Sequence, residues 1–124
     1  MLYAILCYND EAAVGAWSKD YDATVMADLQ AIQKPLVEAG KMGPVARLLP
    51  TTAATTVRKG AGEPLVLDGP FAENKEQFLG FYVLDAETLD EAITVVRKLA
   101  DANPGTGSYE IRPVAAFFPG AAIT

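Results

Sequence analysis

An α+β domain is what this sequence predicts, on three observations. The runs Leu2–Tyr8 and Phe78–Leu84 are apolar at nearly every position, as strands covered on both faces are. Each run is followed by a segment whose apolar residues recur with the period of a helix. Between the two strand–helix units lie short β-prone segments flanking Gly60-Ala61-Gly62-Glu63, a hairpin signal.

The elements follow in order. Leu2–Tyr8 is the first strand, ended by Asn9-Asp10, and a mixed loop is expected from there to Trp17. Ser18 is placed to cap a helix running to about Ala39. Tyr21, Val25, Leu29, Ile32 and Leu36 form its apolar stripe. Pro35 removes a backbone donor and should kink or fray the last turn, and Gly40 supplies the stop. A strand is expected around Val45–Leu49, broken by Pro50-Thr51-Thr52, and then the hairpin Thr55–Lys59 with Pro64–Leu67. After Phe78–Leu84, Thr88 and Glu91 have the spacing of a capping box. Leu89, Ala92, Ile93, Val96 and Ala100 make the second helical stripe, and Asn103-Pro104-Gly105 ends it. Ser108–Val114 closes the domain as a strand, with Tyr109 and Ile111 on one face and Glu110 and Arg112 on the other.

Strand, helix, strand, inserted hairpin, strand, helix, strand is the order of a ferredoxin-like fold. Two helices cover one face of such a sheet, yet both central runs offer apolar residues to the other face as well. The same sheet from a second subunit is the simplest cover, which predicts an isologous homodimer.

With 124 residues the chain is one domain, 1–124, its core about 1–114, burying roughly two thirds of its unfolded surface. At 51% hydrophobic and 21% charged it is globular. Ten basic against sixteen acidic residues give a net charge of −6, which argues against nucleic acid as a partner. There is no histidine, so the commonest general base near neutral pH and the commonest metal ligand are absent. The single Cys7, inside an apolar run, reads as a small buried hydrophobe in a reducing compartment. Met1–Tyr8 lacks a basic flank and is too short for a signal or membrane helix, so a cytoplasmic protein is expected. Neither a phosphate-binding glycine loop, nor a dinucleotide fingerprint, nor a Cys/His metal cluster is written in the sequence; no cofactor and no metal are expected.

Asp68-Gly69-Pro70-Phe71-Ala72-Glu73-Asn74-Lys75-Glu76-Gln77 leads directly into the strand Phe78–Leu84. This stretch resembles the signature of the YCII-related family, in particular its DGPF-type branch, and the resemblance extends more loosely from Met1 to about Val114. It implies a dimeric α+β barrel, in agreement with the expectation from the two apolar strands. Some YCII-related proteins resemble small lyases or dehalogenating enzymes that use a histidine–aspartate pair, and this chain has no histidine to supply it. DGPF-type genes also tend to lie beside extracytoplasmic-function sigma factors, which implies a regulatory or stress context.

Asp68 is the candidate catalytic residue, as a general base, and a candidate ligand contact. Position 70 is proline, so the Asp68 carboxylate cannot bond the amide two residues on and must reach further, to Phe71 N–H, or project elsewhere. A stiff turn of this kind either aligns two strands or mounts a carboxylate towards a ligand. Glu73 and Lys75 follow in a charged loop, and Phe71 and Glu73 join Asp68 as candidate ligand contacts. Tyr8, at a strand end, is placed to offer its hydroxyl to a cavity. The Arg112 fork suits either a carboxylate ligand or an internal acid. The leading expectation is a dimeric module binding a small molecule in a cleft near the Asp68 turn. The alternatives are a small lyase-like or isomerase-like enzyme using Asp68, and a protein-interaction module linked to sigma-factor regulation.

Overall fold

The computed structural model of the chain describes residues 1–123. A four-stranded antiparallel sheet has the order β2-β5-β1-β6, with β1 at Leu2–Asn9, β2 at Met42–Arg47, β5 at Gln77–Asp85 and β6 at Ser108–Pro113. Helices α2 (Lys19–Glu38) and α3 (Leu89–Ala102) form the two crossovers, so the main architecture is ferredoxin-like. A separate two-stranded sheet pairs β3 (Thr55–Arg58) with β4 (Leu65–Asp68), the expected hairpin.

Alternation along β1 fixes the layers. Tyr3, Ile5 and Cys7 are buried beneath the helices, whereas Leu2, Ala4, Leu6 and Tyr8 are half-buried on the opposite face. On β5, Tyr82 and Leu84 join the core while Phe81 and Val83 face the other way. Ile5, Leu84 and Leu99 are fully buried, each worth about 1.5–3 kcal/mol of transfer free energy. Among the described residues the helix-free face of the sheet carries no further helix or sheet layer.

Several local expectations change. The segment after Asp10 is a short helix, α1 (Glu11–Gly15), because the Asp10 carboxylate accepts from Ala12 N–H at 3.0 Å and starts a turn that alanines continue. Ser18 caps α2 as expected, accepting from Tyr21 N–H at 3.1 Å. The helix passes through Pro35 and stops at Glu38, where Lys41 N–H closes the end on Leu36 C=O at 2.8 Å. Tyr21 lies 45% exposed at the head of its stripe. Strand β2 begins at Met42, three residues before the expected Val45, because its edge position tolerates Gly43 and Pro44. In the capping box Thr88 Oγ accepts from Glu91 N–H at 3.1 Å, but Glu91 reaches back to Glu87 N–H, one residue further out, at 3.0 Å. In α3 the buried positions are Ala92, Val96 and Leu99, while Leu89 and Ala100 are exposed.

Candidate functional site

The register of β1 on β5 shifts at Cys7/Tyr8: Cys7 faces Gly80 and Tyr8 faces Phe78, leaving Leu79 as an extra residue. Bulges of this kind turn side chains locally. Beside it, a Cβ on Gly80 would collide with the carbonyl of Ala46, so glycine lets β2 pass close. Helix α2 lies over this end of the sheet, and between them is a cavity of about 300 Å³. Its roof is Val25, Met26, Leu29 and Gln33 of α2; its floor includes Cys7, Gly80 and Tyr82. The half-buried Trp17, which joins α1 to α2, and Val45 of edge strand β2 line it towards solvent. Trp17 packs edge-on against Tyr21, ring centres 5.4 Å apart.

A neutral polar cluster sits at the base. Asn103 Nδ2 donates to Tyr109 Oη at 3.0 Å and lies 3.9 Å from Cys7 Sγ. Burial pushes the Cys7 thiol above its ordinary value, so it is a weak thiolate source. Burial likewise raises the Tyr82 hydroxyl to about 12, with the Gln33 side chain beside it easing the shift, and raises Tyr109 further. These groups are uncharged near neutral pH. They can donate and accept hydrogen bonds, and none is poised as a base. Among the described residues the only charged side chain lining the cavity is Arg47. Its two terminal nitrogens donate to the two oxygens of Asp22, at 2.8 and 3.1 Å. This pairing holds the Asp22 carboxyl below its ordinary value and raises Arg47.

The five residues singled out from sequence fall into two groups, both outside this cavity. Asp68, Phe71 and Glu73 lie at the hairpin end. Gly69, with φ of +93°, donates its N–H to Ala54 C=O at 2.7 Å, and its carbonyl accepts from Thr56 Oγ at 2.8 Å. The turn is therefore held through Gly69. The Asp68 carboxylate makes no hydrogen bond among the described residues, so the expected reach to Phe71 N–H is not made. Phe71 is 77% exposed. Glu73, with Thr51, Pro70 and Gln77, borders a second pocket of about 420 Å³, but no residue lining it is buried. The loop is tied to the body through Glu11, which accepts from Thr51 N–H at 2.9 Å and from the Thr51 hydroxyl, and whose own N–H donates to Gln77 at 3.0 Å.

Tyr8 and Arg112 share the helix-free face of the sheet. Tyr8 Oη donates to Glu110 at 3.3 Å and its ring packs on Phe78, centres 5.5 Å apart. Arg112 stands opposite Ala4 in the register, and among the described residues it forms no ion pair with an internal acid. Among the described residues no three Cys, Asp or Glu side chains gather as a metal centre would require, and no helix is long and apolar enough to cross a membrane.

Sequence reading passed over Cys7, Gln33, Arg47, Tyr82 and Asn103 as cavity residues. One signal was present. Gln33 follows Val25 and Leu29 at intervals of four, so a polar group rides on the buried stripe of α2.

The chain is 63% identical over 120 residues to the uncharacterized protein R00369 of Rhizobium meliloti (strain 1021), an alignment that covers 97% of each. Residues 1–117 match the YCII-related domain, nearly the whole of the folded unit described above, and the chain belongs to that family.

Proposed function

We propose that the protein is a cytoplasmic homodimer of the dimeric α+β barrel kind, in the DGPF-type branch, that binds a small organic molecule between α2 and the sheet. The observation that carries this reading is the cavity itself. Val25, Leu29 and Tyr82 are buried in its walls, and Cys7, Gln33, Tyr82 and Asn103 bring a few neutral polar groups to it. Apolar walls with a few convergent polar groups are what small-molecule sites have in common. The pocket beside Glu73 lacks buried walls and so offers a ligand little desolvation.

The dimer is supported by two apolar surfaces that no further layer covers among the described residues. One is the helix-free face, with Leu6, Phe81 and Val83. The other is the β3–β4 arm, whose Val57, Leu65 and Val66 are all exposed. A two-stranded hairpin is marginal by itself. In this reading Tyr8 and Arg112 serve the subunit contact rather than the ligand, and Asp68, Phe71 and Glu73 serve the arm and its turn.

A thermal-shift screen of a broad metabolite panel tests the binding role, with Trp17, the sole tryptophan, as a fluorescence reporter at the cavity. A ligand at a hundredfold above its Kd adds about 2.7 kcal/mol of stability. A panel that moved neither the melting temperature nor the Trp17 emission would count against the reading.

A further inference from the structure

We propose that Asp22 is a specificity-determining residue: by engaging Arg47 at the cavity, it reserves the site for uncharged amide, carbonyl or hydroxyl compounds and excludes carboxylates. This rests on the cavity reading above. Among the described residues Arg47 is the only formally charged side chain that lines the cavity, and a free guanidinium there would favour an acidic ligand through its two-pronged fork. That fork is already used. Nη1 and Nη2 each meet one oxygen of Asp22, at 3.1 and 2.8 Å.

Asp22 is held in place by the helix that roofs the cavity. It precedes Val25 and Met26 by three and four residues, so all three project from neighbouring positions on one side of α2. The other polar groups that line it, Cys7, Gln30, Gln33, Tyr82 and Asn103, are neutral and can serve as donors and acceptors without a compensating charge. A carboxylate entering would approach Asp22 as a like charge, or be buried deeper with no cationic partner, and either is costly. An amide meets neither penalty. The pair is partly exposed, with side-chain exposures of 48% and 32%, so it adds little to stability. Its main consequence is the charge that the ligand meets.

The test uses the full chain, isotope-labelled for NMR, and two pairs of probes that match in shape: benzamide with benzoate, and naphthamide with naphthoate. Binding is read at the Trp17 indole N–H and at the side-chain amides of Gln33 and Asn103. The native protein should bind each amide at least about tenfold more tightly than its carboxylate. In Asp22→Asn the guanidinium is released, and carboxylate affinity should rise by about tenfold while amide affinity changes by less than about threefold. Adding Arg47→Gln should remove that gain. If the ion pair merely pinned α2 to β2, Asp22→Asn would weaken both probes alike and leave their ratio unchanged, which overturns the inference. Carboxylates that bind the native protein at these signals as tightly as amides would overturn it too, and leave the cavity reading standing. Absence of any shift at Trp17, Gln33 and Asn103 with all four probes would overturn both.

Discussion

Asn103, the C-cap residue just past α3, donates its side-chain amide to the hydroxyl of Tyr109 on β6 at 3.0 Å, and the same nitrogen lies 3.9 Å from Cys7 Sγ on β1. One side chain thus joins a helix end to two strands at the base of the cavity. The contact satisfies a phenol whose burial otherwise disfavours it.

Asn103→Ala should lower stability by about 1–3 kcal/mol, because the half-buried Tyr109 hydroxyl loses its amide donor. Tyr109→Phe should cost less, since Asn103 stands near enough to solvent to be rehydrated. Urea denaturation of both variants and of the double variant gives the coupling. Equal losses in the two single variants would contradict the assignment.

At the hairpin end, Asp68→Asn should change stability by no more than about 0.5 kcal/mol, since the carboxylate is exposed and unbonded among the described residues. Gly69→Ala should cost about 1–2 kcal/mol, because φ at this position is +93°. Probe binding at Trp17 should be unaffected by Asp68→Asn. A loss of affinity there, with the melting temperature unchanged, would restore Asp68 as a ligand contact.

Charge placed on alternate residues of β5 should have opposite outcomes. Phe81→Glu or Val83→Glu, on the helix-free face, should yield a folded monomer by light scattering. Leu84→Glu, on the core face at 1% exposure, should unfold the chain, because a buried unpaired charge is expensive. A monomeric native protein at micromolar concentration would sink the dimer.

Stability should fall on the alkaline side. The Tyr82 hydroxyl is raised from 10.0 to about 12, so the folded state keeps a proton that the unfolded chain releases. Its contribution is complete below about pH 10 and is lost as pH rises towards 12. Tyr109 acts in the same direction. A tyrosinate absorbance titration should show a late-ionising phase in the native protein, with Tyr82 and Tyr109 in it, that disappears in urea. Tyr82→Phe should flatten the decline of melting temperature with pH, and an unchanged slope would argue that this hydroxyl is hydrated.

Signals that act over a few residues were legible in the sequence. Ser18 and Thr88 cap the helices where their side chains predict, because a cap is settled within three residues. The strands β1 and β5 follow from their continuous apolar runs and the hairpin from turn chemistry, and their order gives the sheet. Alternation also separates Tyr109 and Ile111 from Glu110 and Arg112 correctly. What failed locally was the short helix after Asp10, where five residues carry too little periodicity to distinguish a helical turn from a loop.

The site is a different matter. The Asp68 turn drew attention because rigid, charged loops stand out in one dimension, yet its carboxylate projects from the hairpin with no side-chain partner among the described residues. The cavity groups Cys7, Gln33, Arg47, Tyr82 and Asn103 come from β1, α2, β2, β5 and the end of α3, and are as much as 96 residues apart. No local period brings such residues together. The sequence by itself determined the elements, their order and the apolar character of both sheet faces, since propensity and burial pattern act residue by residue. Only the tertiary structure decided that the bulge at Leu79, the close pass at Gly80 and the seat of α2 enclose a neutral polar cluster, because a cavity is the space left by several elements packing at once.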